Sequence, residues 1–139
     1  MSADGAHGLA AGLRRSTLFL LLLFCGTALA EWRSIGRFDR GEFFIDQRTL
    51  QTKGEQREIW SVMNYRNPEM DPQGRIFRST RSLLQLQCKA RKARAIHMSF
   101  YTGAMLEGKQ ISTMGSLPDW EPVPPGTPMH DILDLVCRP

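Results

Sequence analysis

The chain has 139 residues, with 18 basic and 14 acidic side chains, a formal charge of +4, and 42% hydrophobic residues. That length holds one domain and excludes an enzyme built from separate catalytic and cofactor domains. Mixed-sign charge of 23% and aromatic content of 9% suit a packed chain rather than a disordered or collagen-like one.

Arg14 and Arg15 precede an apolar run from Leu18 to Cys25, and the small-residue pattern Ala28-Leu29-Ala30 ends before Glu31. This order of charge, apolar core and cleavage pattern predicts a secretory signal over residues 1–30 and a domain over 31–139. The apolar run is too short for a membrane span, which needs about 20 apolar residues. A lipid anchor at Cys25 is disfavoured by the bulky Phe24 before it. Cleavage after Ala30 would take away two of the 18 basic residues and one of the 14 acidic ones, lowering the charge to +3.

Cys88 and Cys137 then remain. In an oxidising compartment an even pair is most simply a disulfide, closing a loop of about 50 residues for about 4 kcal/mol of chain entropy. The alternative, a thiol nucleophile or metal ligand, needs a reducing compartment or further nearby ligands.

Residues Trp32 to Phe38, the turn Asp39-Arg40-Gly41, and Glu42 to Asp46 read as a hairpin. Asp46 to Leu50 reads as a short turn. Gln56 to Tyr65 is rich in β-branched and aromatic residues and reads as a third strand. Asn67 to Gly74 holds Pro68, Pro72 and Gly74, which predicts a loop. From Arg75 to Cys88 the period of two places Leu84, Leu86 and Cys88 on one inner face.

A basic turn, Lys89 to Arg94, leads into a strand from Ala95 to Thr102, where Ile96, Met98 and Phe100 share one face and His97, Ser99 and Tyr101 the other. Lys109 to Met114 is a weak sixth strand. The proline-rich stretch from Gly115 to Gly126 should run extended, laying Trp120 and Val123 over an open end of the sheet. Thr127 as cap, Pro128 at the first helical position, Asp131 near the positive end, and Met129, Ile132, Leu133 and Val136 at helical spacing predict a short helix ending at Cys137.

Phe44-Ile45-Asp46, Arg78-Ser79, Tyr101-Thr102-Gly103 and Trp120-Glu121-Pro122-Val123-Pro124-Pro125-Gly126-Thr127, followed by Cys137, together resemble the surface-adhesin protein E family of bacterial exported proteins. The resemblance implies an α+β fold: an antiparallel sheet of five to six strands packed by one short C-terminal helix and secured by a Cys88–Cys137 disulfide. It also implies a binding role rather than catalysis, for a family that includes a lipid-anchored surface protein binding host matrix, plasma proteins and haem. The chain is then expected in the periplasm, on the outer surface or secreted.

The candidate recognition residues are the basic turn, Lys89, Arg91, Lys92 and Arg94, with Arg75, Arg78 and Arg81 extending its field toward an acidic protein, glycan or phosphate partner. A solvated hairpin tip is the plainer account of the same run. Export argues against nucleic acid, and a homodimer is compatible with such a module. His97 and His130 lie in no metal-binding or nucleophile motif, and no cofactor is expected. The rival reading is a periplasmic haem carrier or small enzyme using His97, with Met98 or Tyr101 as further haem contacts.

Overall fold

Two faces of one twisted antiparallel sheet, only one of them covered by a helix, account for most of the burial in the chain. The computed structural model describes residues 26, 29–115 and 119–139; the apolar run Leu18 to Cys25, with the signal and lipid-anchor expectations, lies outside the described residues. Eight strands form the sheet: β1 (Arg33–Phe38), β2 (Gly41–Ile45), β3 (Gln51–Lys53), β4 (Gln56–Met70), β5 (Ile76–Gln87), β6 (Lys92–Tyr101), β7 (Gln110–Met114) and β8 (Glu121–Pro122). One helix, α1, spans Pro128–Val136. The main path runs β1-β2-β4-β5-β6-β7, with β3 added to β4 and β8 to β6.

The expected five to six strands therefore become eight. The main path holds the six read from pattern, and the two extra are edge additions of three and two residues. Segments that short carry no readable period. A second correction concerns Pro68, which lies inside β4 rather than in a loop starting at Asn67. The β4–β5 register passes from Asn64 opposite Ser79 to Glu69 opposite Phe77. Residues between them bulge off the ladder, and a proline without an N–H is tolerated there. A third correction concerns β6, which bulges where Leu83 faces His97 but Leu84 faces Ala95. Ile96 is the extra residue, so Ala95, not Ile96, shares the inner face with Met98 and Phe100.

The inner face is the one α1 covers. Ile45, Ile59, Leu84, Leu86, Ala93 and Val123 bury themselves against Ile132, Leu133 and Val136 of the helix. The expected inward alternation of Leu84 and Leu86 holds. Phe77 joins the inner side as well, edge-on to Phe100 at 4.9 Å and to Tyr65 at 5.3 Å.

The helix starts where its sequence signals place it. Thr127 Oγ1 accepts from the His130 N–H at 3.2 Å, with Pro128 following the cap. At nine residues α1 is too short to persist alone. Cys137, the residue after it, is bonded to Cys88 with 5.6 Å between Cα atoms, and the Arg57 guanidinium donates to the Val136 carbonyl at 3.1 Å. Both contacts hold the C-terminal end of the helix to the sheet.

Two buried carboxylates brace the loops. Asp46 accepts from the Arg48 N–H at 3.1 Å and the Glu31 N–H at 3.3 Å. Asp71 accepts from the backbone N–H of Gln73 at 3.0 Å, from the Arg75 N–H at 2.8 Å and guanidinium at 2.8 Å, and from Ser112 Oγ at 3.3 Å. It ties the β4–β5 turn to β7, and Arg75 also donates to the Ile111 carbonyl. The Arg48 guanidinium, against some opposing burial, holds Asp46 below its ordinary pKa of 3.8. Burial pushes Asp71 up, but the Arg75 N–H and guanidinium outweigh it and leave that carboxyl low as well.

A carboxyl with a lowered folded pKa adds stability that is whole above its ordinary value and disappears as pH falls through the folded value. Stability should therefore be flat from neutral pH to about 5 and fall below about 4. Denaturant titrations across that range check it. Asp71→Asn should flatten the acid fall, and an unchanged acid slope in that variant would remove Asp71 from the account.

Candidate functional site

The basic turn divides into clamped and free residues. The chain reverses at Cys88 to Arg91, and Arg91 takes the left-handed conformation with φ 51°. Its guanidinium reaches Asp134 on α1 at 2.6 Å. That bond, against some burial and with help from His130, holds the Asp134 carboxyl below its ordinary range. Arg94 belongs to β6, not to the turn. It donates to Gln85 Oε1 at 2.8 Å and lies 4.3 Å from the centroid of the Trp120 ring. Lys89 and Lys92 are exposed, and among the described residues neither has an acidic partner.

The arginines expected to extend this field do not gather there. Arg75 is committed to Asp71. Arg81 lies on the outer face, 3.8 Å from the Trp60 ring centroid. Arg78 stands near the opposite end of β5, its guanidinium donating to the Arg66 carbonyl at 3.3 Å.

Trp120 also departs from expectation. It is half-buried against Arg94 at the sheet edge, while Val123, three residues on, enters the core at 9% exposure. The pairing of Lys92 with Pro122 and Ala93 with Glu121 turns the extended stretch into β8 and separates the two side chains.

The strand register fixes what β6 can assemble. Leu83 pairs with His97 and Ser82 with Met98, so His97 and Tyr101 belong to the outer face and Met98 to the inner one. His97 stands edge-on to Trp60 at 5.7 Å, and its Nε2 lies 3.2 Å from Ser99 Oγ. His130 is on α1, 3.6 Å from Asp134. Among the described residues no three histidine, cysteine or acidic side chains form a group able to hold a metal ion.

Beside the first turn of α1 the inner face opens into an apolar cleft of about 410 Å³, walled by Phe43, Met63, Tyr65, Met98, Val123 and Met129. Burial raises the pKa of the Tyr65 phenol, against the opposing hydrogen bond with Thr80. A pocket of this kind accepts an apolar side chain or ring. Sequence reasoning missed it because its walls come from five separate stretches, and none carries a motif.

The family model for surface-adhesin protein E matches residues 32–138. Solved structures of Haemophilus influenzae protein E share the fold. One aligns with a TM-score of 0.59 at 16% identity over 78% of this chain and 88% of its own. Another, from a non-typeable strain, gives 0.56 at 16% identity over 75% and 74%. No significant match occurs among curated protein sequences. Among the described residues no helix is long and apolar enough to cross a membrane.

Proposed function

The chain belongs to the surface-adhesin protein E family, and on that premise we propose that it is an exported, non-catalytic binding module that recognises an acidic protein or envelope surface. Recognition is by Lys89 and Lys92, held on a rigid corner. The observation that carries this reading is the division of the basic turn. Cys88 is bonded to Cys137, which fixes the corner covalently, and Arg91 is turned toward Asp134, while the two lysines between and beside them face solvent. A preformed cationic corner loses little freedom when a partner docks, and its charge raises the encounter rate. The neighbouring apolar cleft offers an anchor for one side chain of the same partner.

The test is capture of acidic partners from matrix and envelope preparations at low and moderate salt. Binding should weaken with salt, because charges facing solvent are screened within about 8 Å at physiological ionic strength. The double variant Lys89→Glu, Lys92→Glu should lose capture with an unchanged unfolding midpoint. Capture indifferent to both salt and charge reversal would remove the basic corner from recognition. A Soret band on adding haem, abolished by His97→Ala, would instead favour the rival carrier.

A further inference from the structure

At the other end of β5, the bulge that displaces residues 65–68 from the ladder opens a second cleft, about 260 Å³, between β4 and the β1–β2 hairpin. Its lining is Arg37, Gly41, Glu42, Asn64, Tyr65, Arg66 and Arg78. Three arginines and one glutamate line it, a net of two positive charges in a concave site.

The one carboxylate is already engaged. Glu42 accepts from Ser34 Oγ at 2.6 Å and from Arg37 Nε at 3.3 Å. The Ser34 bond, with Arg37 behind it and some burial against it, keeps that carboxyl ionised below its ordinary range. Outside the lining, Glu69 is taken by Arg40 at 3.0 Å. Arg66 and Arg78 have no acidic partner among the described residues. The Arg78 guanidinium donates to the Arg66 carbonyl at 3.3 Å, and among the described residues its buried Nε–H meets no acceptor.

A Cβ on Gly41 would fall 2.0 Å from the Asn64 carbonyl oxygen, so glycine is what lets β2 approach β4 and leaves room beside the guanidiniums. Arginine forks match the spacing of oxygens on a tetrahedral oxyanion and bind it bidentately.

We propose that this cleft binds a tetrahedral oxyanion, a phosphate or sulfate group, between Arg37, Arg66 and Arg78. The site lies at the opposite end of β5 from Lys89 and Lys92 and stands whether or not that corner recognises a partner. Its ligand is either the free ion or the same group carried as an ester on a saccharide.

Titration calorimetry of the oxidised protein at low salt, with inorganic phosphate and separately with a sulfated heparin disaccharide, tests it. One-to-one binding is expected, weakened about tenfold by loss of one charge-assisted partner in Arg66→Ala or Arg78→Lys, and unchanged in Lys89→Glu. Tighter binding of the disaccharide assigns the ester, and equal binding assigns the free ion. Arg66 is exposed and outside the ladder, so Arg66→Ala should fold as the parent does. Equal binding by the parent and Arg66→Ala, or no heat with either probe, would overturn the proposal.

Discussion

Removing the Cys88–Cys137 bond, by reduction or by Cys88→Ala with Cys137→Ala, should cost about 4 kcal/mol and lower the unfolding midpoint by on the order of 20 °C. The two cysteines are 49 residues apart in sequence, and breaking the link returns that loop's freedom to the unfolded chain. The loss is concentrated on α1. Without the bond, a nine-residue helix relies on its apolar stripe, the Arg57 bond to Val136 and the Arg91–Asp134 pair. Arg91–Asp134 is half-exposed and contributes little. Melting curves by circular dichroism, with and without reductant, measure the effect. The parent should drop on reduction while the double alanine variant does not respond to it. Coincident curves for the oxidised and reduced parent would show that packing alone holds the helix.

The same bond shows how much of this molecule its sequence declares. Thr127, Pro128 and the stripe Met129, Ile132, Leu133, Val136 announce α1 locally, because capping and helical spacing act within a few residues. The alternation from Ser82 to Gln87 likewise announces its own inner face. The bulges are a different matter. Pro68 within β4 and Ile96 within β6 depend on which residues of a neighbouring strand they fail to meet, and period counting cannot register an omission in a partner. The short β3 and β8 exist only as edge pairings to β4 and β6.

The basic turn was legible in charge but not in partnership. Lys89, Arg91, Lys92 and Arg94 form one run in sequence, yet Arg91 is spent on a residue of α1 and Arg94 on Gln85 and Trp120. Strand alternation separates Arg94 from the tip. The arginine-lined cleft was not legible as a site, since Arg78 was read with the basic turn, and Arg37 and Arg66 join it only through the fold. Sequence thus located the cationic turn, while folding decided which of its charges are left for a partner.

Leu133→Ala should destabilise the protein by about 3 to 4 kcal/mol, the cost of emptying a fully buried leucine site that relaxes only in part. Leu133 is 0% exposed and sits between the helix and the inner face with Ile59, Leu84 and Leu86. Its carbonyl accepts from the Cys137 N–H at 3.0 Å, so packing and the covalent link act on the same turn of helix. The two losses should therefore not add. Once the bond to Cys88 is gone, α1 separates more easily, the cavity is partly relieved by movement, and Leu133→Ala costs less than in the oxidised protein. A double-mutant cycle in urea, combining Leu133→Ala with the cysteine replacements, should return a coupling on the order of 1 kcal/mol. Strict additivity would mean that the helix stays seated on Ile59 and Leu84 without its bond, and that the disulfide acts wholly through the unfolded chain.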